Sequence, residues 1–75
     1  MPTPAQFKAA RALLGWSQAA LANAAGLSPP SVKRLELEYL GVSEETALKA
    51  CQALEAAGIE FIGKTGANLK KKPRP

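Results

Sequence analysis

Histidine is absent from this 75-residue chain, and cysteine occurs once, at Cys51. A lone thiol makes no intrachain disulfide, and without imidazoles the usual zinc sites have too few ligands, so no metal or other cofactor is expected. Aromatic residues are few. Phe7, Trp16, Tyr39 and Phe61 are scattered along the chain, which argues against the clustered stacking platform that binds single-stranded RNA. There is no glycine-rich phosphate loop, and Cys51 lies among small apolar residues, the setting of a buried filler rather than a nucleophile. An enzyme is therefore not expected. No apolar run approaches the roughly 20 residues that cross a bilayer, and the opening MPTPAQF lacks the basic and apolar regions of a signal peptide. These absences predict a soluble, cytoplasmic protein.

What is abundant is alanine, the best helix former, present 15 times and mostly within residues 5–25 and 47–57. A chain of this length has room for one small domain, and close packing of helices on small side chains is the economical way to build it. The net charge of +4 is unevenly placed. Residues 64–75 carry Lys64, Lys70, Lys71, Lys72 and Arg74 with no acid, whereas residues 1–63 hold five basic and six acidic side chains. The basic character thus belongs to the tail, which serves either as a phosphate-binding arm or as a solvated end.

Four helices follow from caps and periodicity. Thr3, Pro4 and Gln6 read as N-cap, first helical residue and capping-box partner, with Phe7, Ala10 and Leu14 recurring on one face and Gly15 ending the helix. Ser17 caps a second helix running to about Ala25, and Trp16 stands at staple spacing from Leu21. Pro29 and Pro30 then stand side by side, where a third helix should start. If Ser28 is the N-cap, the prolines take the first two helical positions, whose missing N–H groups have no intrahelical partner in any case. They begin the helix, which is expected over about Pro29 to Tyr39, with Leu27 and Val32 as its staple pair. Ser43, followed by Glu44 and Glu45 in the favourable first turn, caps a fourth helix to about Ala57, closed by Gly58. Ile59 to Ile62 reads as a short strand, GKTG as a turn and ANLK as a weaker return strand.

Helices two and three are separated by about three residues around Gly26, the spacing of a helix-turn-helix. Between Gln18 and Leu37 the segment resembles the phage-repressor-like helix-turn-helix family, the Cro or XRE type: small Ala22 where the helices cross, Gly26 at the turn, and apolar Leu21, Val32 and Leu35 for the core. The flanking helices extend the resemblance to roughly residues 5–57. It implies an all-α, compact four-helix domain of lambda-repressor-like fold, with a short C-terminal strand or hairpin and a basic tail. The chain divides accordingly into a DNA-binding domain over 1–58, a strand or hairpin and candidate dimerisation segment over 59–70, and a basic disordered tail over 71–75.

At 100° per residue, Val32, Leu35, Glu36 and Tyr39 fall on one arc of the third helix, and Pro30, Ser31, Lys33, Arg34, Leu37 and Glu38 on the other. The second arc is free to enter a major groove. In the family, the first two residues of this helix and one a turn later reach base edges, which implies Pro29, Pro30 and Arg34, with Ser31 and Lys33 beside them. The Arg34 guanidinium can bond both O6 and N7 of guanine, and the prolines offer only apolar surface, whose match is a thymine methyl. Ser17, Gln18 and the lysines Lys70, Lys71 and Lys72 are candidates for the DNA backbone, Gln18 by resemblance to the family's glutamine and by its place at a helix N-terminus. The resemblance also implies an ion pair between Arg11 and Glu36. Leu37 and Leu40 are apolar on a face that should be polar, which points to a partner contact or, as the favoured explanation, to packing against helix four.

A single module of this kind covers too little DNA to be selective alone, so a homodimer is expected, paired through the apolar strand of Ile59, Phe61 and Ile62. The functional expectation is a sequence-specific regulator of double-stranded DNA, a repressor since no activation or ligand domain is recognised, bacterial or phage and associated with the nucleoid. The alternative is an antitoxin-type or other protein-interaction module, in which a partner such as a toxin is the primary ligand.

Overall fold

The computed structural model describes residues 2–37, 42–64 and 66–70. Four helices, α1 (Pro4–Leu14), α2 (Gln18–Ala25), α3 (Pro29–Leu37) and α4 (Glu44–Ala56), precede a hairpin of β1 (Ile59–Ile62) and β2 (Gly66–Leu69). Local chemistry sets each boundary. Thr3 and Gln6 close a reciprocal capping box: the Thr3 hydroxyl accepts the Gln6 N–H at 3.2 Å and the Gln6 side-chain carbonyl accepts the Thr3 N–H at 2.9 Å. Ser17 Oγ accepts the Ala20 N–H at 3.0 Å, and Ser43 Oγ accepts that of Thr46 at 3.2 Å. Two glycines in the left-handed region, Gly15 at φ 69° and Gly26 at φ 72°, end α1 and α2.

The start of α3 accommodates the proline pair as the capping rule requires. Ser28 Oγ accepts the N–H of Ser31, the first one available after the two prolines, at 3.4 Å. The Ser28 carbonyl receives Ser31 N at 3.0 Å and Val32 N at 3.3 Å. Tyr39, the expected end of this helix, and Glu38 and Leu40 with it, lie outside the described residues.

Phe7 and Ala10 of α1, Leu21 and Ala22 of α2, and Val32 and Leu35 of α3 are buried against Ala47, Ala50 and Leu54 of α4. Leu14, Trp16 and Leu27 pack partly buried around them. Small residues dominate where helices meet. Ala22 is 1 % exposed, and any longer side chain there would separate α2 from its neighbours.

The hairpin is antiparallel, pairing Ile59 with Leu69 and Phe61 with Ala67. The return strand starts at Gly66, one residue before its expected place, where Gly66 pairs with Ile62; a Cβ there would stand 3.0 Å from the Ile62 carbonyl oxygen, so the close approach suits glycine. Ile59 joins the helical core, and Phe61 packs edge-on against Phe7 with ring centroids 6.0 Å apart. Gln6 fastens the other end of the hairpin. Its buried amide nitrogen donates to the carbonyls of Gly63 at 3.0 Å and Gly66 at 2.8 Å, and Thr3 Oγ1 donates to the Lys64 carbonyl at 3.1 Å. Among the described residues no helix is long and apolar enough to cross a membrane.

Candidate nucleic-acid interface

Gly26 turns the chain out of α2 so that α3 starts three residues later with one face on the core and the other outward. The inward face holds Val32, Leu35 and Glu36. Outward, Pro29, Pro30, Lys33, Arg34 and Leu37 are exposed and Ser31 is half-buried. The Ser31 hydroxyl lies 2.9 Å from that of Ser28, so it is already engaged in the cap. The expectation that Leu37 packs on helix four is overturned: Leu37 is 71 % exposed. Val32 and Leu35 already fill the α3 core face, and Leu37 lies well round the helix from both.

Electrostatics sharpen this face. Glu36 is the one carboxylate among the described residues of α3, and its side chain is 2 % exposed. Arg11 reaches it from α1 with a two-pronged contact, Nε to Oε2 at 2.7 Å and Nη2 to Oε1 at 3.1 Å. The third arm of the guanidinium donates to the Trp16 carbonyl at 2.8 Å, joining the α1–α2 loop to the same cluster. Hydrogen bonding to Glu36 raises the Arg11 pKa above its ordinary value despite partial desolvation. With Glu36 turned inward and neutralised, Lys33 and Arg34 are the charged groups on the outward side of Pro29–Leu37.

Two shallow concavities flank Arg34. One, of about 230 Å³, lies between α3 and the start of α4 and is lined by Ser31, Arg34, Val42, Ser43 and Thr46. The other, of about 310 Å³, runs along α3 itself and is lined by Pro30, Lys33, Arg34 and Leu37.

A helix-turn-helix family model matches residues 7–60, from the first aromatic residue of α1 into β1. The chain belongs to this family, the Cro/C1-type, XRE-like helix-turn-helix proteins. Membership makes it a DNA-binding helix-turn-helix regulator. Comparison with curated protein sequences gives no match.

Of the residues expected to contact bases, Pro29, Pro30, Lys33 and Arg34 form one continuous exposed surface on the helix-turn-helix, with Ser31 at its edge. The backbone candidates are more dispersed. Ser17 caps α2, and Gln18 turns its amide nitrogen to Glu36 Oε1 at 3.2 Å, which ties the start of α2 to α3. Lys70 is exposed at the end of β2, while Lys71 and Lys72 lie outside the described residues. The three strand residues named for dimerisation separate: Ile59 is in the monomer's own core, Phe61 rests on Phe7, and Ile62 is 53 % exposed.

Sequence reasoning identified Gln6 only as a cap. Its capping-box spacing carried the local role, but its bonds to Gly63 and Gly66 span 57 and 60 residues and have no local signature. Cys51 is buried in α4, and burial pushes its thiol pKa up.

Proposed function

We propose that this helix-turn-helix regulator is a sequence-specific transcriptional repressor that binds double-stranded DNA as a homodimer, with α3 in the major groove. The observation carrying the proposal is the outward face of α3, where Lys33 and Arg34 stand exposed while the helix's own carboxylate is buried against Arg11. A groove edged by phosphates attracts such a face, and its base edges give it something to read.

Arg34 is assigned to guanine, whose O6 and N7 match a guanidinium fork, and Pro29 and Pro30 to a thymine methyl. Lys33 and Ser31 border this contact. The start of α2, with Ser17 and Gln18, approaches the phosphate backbone, where free N–H groups and the positive helix end favour anions. Lys70 and the following basic residues add phosphate contacts. A protein that fills the groove excludes others from the same base pairs, which is the basis for assigning repression.

Dimerisation places two copies of α3 about 34 Å apart on one face of the duplex. The outer face of the hairpin, bearing the exposed Ile62, supports a contact across a two-fold axis. Selection from randomised duplex DNA tests the reading as a whole. Enrichment of a palindrome with half-sites one helical turn apart, bound with a steep loss of affinity on adding salt, is the expected result. Failure to enrich any duplex would refute it.

A further inference from the structure

Leu37 stands out among the exposed residues of α3. A leucine that is 71 % exposed, on a helix whose other apolar side chains are buried or, in Pro29 and Pro30, form its first turn, has no packing role among the described residues. Its neighbours on the surface supply the explanation. Pro30, Lys33, Arg34 and Leu37 follow one another at intervals of three, one and three residues, the spacing that brings side chains onto a single helical stripe. The four line one concavity of about 310 Å³. The stripe is therefore apolar at both ends and cationic in the middle.

We infer that Leu37 is a specificity-determining residue that reads a thymine 5-methyl group, forming with Pro30 and Arg34 a thymine–guanine–thymine reader. This rests on α3 entering the major groove. The thymine methyl is the apolar feature of the major-groove edge, and it is where an aliphatic side chain adds discrimination. The charge pattern selects DNA over an apolar protein partner: a hydrophobic protein surface would leave the Lys33 and Arg34 charges against apolar atoms, whereas phosphates and a guanine edge take them up. Pro30 and Leu37 are seven residues apart, roughly 10.5 Å along the axis at 1.5 Å per residue. Because the groove runs oblique to the duplex axis, at roughly 3.4 Å per base pair this sets the two methyl contacts at most about three base pairs apart, with the Arg34 guanine between them.

The test uses the full chain and the duplex it selects from a random pool, with each thymine replaced singly by uracil, which removes the methyl and nothing else. Burial of one methyl group corresponds to about a fourfold change in Kd. Two uracil-sensitive positions no more than about three base pairs apart are expected, one losing its sensitivity in Leu37→Ala and the other in Pro30→Ala, while Lys33→Ala retains both. All three variants alter exposed side chains, and a thermal unfolding transition is the check that each folds. A selected duplex with no uracil-sensitive position, or a sensitivity that Leu37→Ala leaves intact, overturns the inference while leaving DNA binding in place. Failure to bind any duplex would refute the groove-entry reading itself and this inference with it.

Discussion

Arg11→Ala is the sharpest perturbation of the architecture behind the DNA face. The substitution removes three hydrogen bonds at once, two to Glu36 and one to the Trp16 carbonyl, and leaves a carboxylate whose side chain is 2 % exposed with Gln18 as its one remaining partner among the described residues. Breaking a buried pair by removing one member costs about 3–5 kcal/mol, because the remaining charge is uncompensated. A 75-residue domain at the usual ~0.05–0.15 kcal/mol per residue holds on the order of 4–11 kcal/mol in total. The variant should therefore lose a large part of its stability. At about 4 °C per kcal/mol or more, the thermal midpoint followed by circular dichroism should fall by at least about 12 °C. A double variant, Arg11→Met with Glu36→Leu, should recover much of the loss by putting apolar volume where the charges were. What it does not recover reflects the Trp16 carbonyl and the Gln18 amide, both left without their partners. A fall of less than about 4 °C in Arg11→Ala would put the pair in the class of exposed ion pairs, worth under about 1 kcal/mol, and would refute a buried, stabilising role for Arg11 and Glu36.

Four further outcomes follow from single contacts. Gly26→Ala meets no steric obstacle, so its cost should be the left-handed backbone penalty alone, about 1–2 kcal/mol, read in urea denaturation at unchanged m-value. Gln6→Ala should cost about 1–3 kcal/mol by leaving the Gly63 and Gly66 carbonyls without their donor, and hydrogen exchange should show the loss of protection concentrated in the hairpin. Arg34→Ala should lower affinity for the selected duplex by about 1–3 kcal/mol and relax preference at one base pair, whereas an equal loss on every sequence would mean contact with phosphate alone. Ile62→Lys adds a charge to the outer face of the hairpin, and sedimentation should show the proposed homodimer of the parent chain converted to monomer; a retained dimer would exclude this face as the interface.

Most of the helical architecture was legible because it is written in adjacent residues. The capping box and the serine caps are bonds across three positions, and the glycines that end α1 and α2 occupy backbone conformations that side chains oppose. The outward face of α3 was legible for a similar reason, since a fixed 3.6-residue period converts spacing into direction. Leu37 shows where that logic stops: the wheel assigned it correctly to the outward arc, but the expectation of packing against α4 relied on general hydrophobicity, which cannot say whether a neighbour lies within reach. Gln6, by contrast, was read as a purely local group, and its partners at Gly63 and Gly66 arrive only when the chain has folded back.

Because the chain folds back in this way, the proposed homodimer is tested by substitution on the hairpin and not by its removal. Ile59 and Phe61 project inward from β1 onto the helices, so removing the chain after Gly58 would strip a side chain that is 3 % exposed from the core and delete the edge-on partner of Phe7. It would also free the Gln6 amide, buried at the base of α1, from the carbonyls that satisfy it. Such a truncation would lower stability by several kcal/mol through cavity and desolvation costs before it reported on association. Loss of dimer mass would then reflect unfolding as readily as a broken interface. Only the outward set, Glu60 and Ile62 on β1 with Asn68 across the pair, separates the two effects, because substitution there leaves the contacts with α1 and α4 untouched.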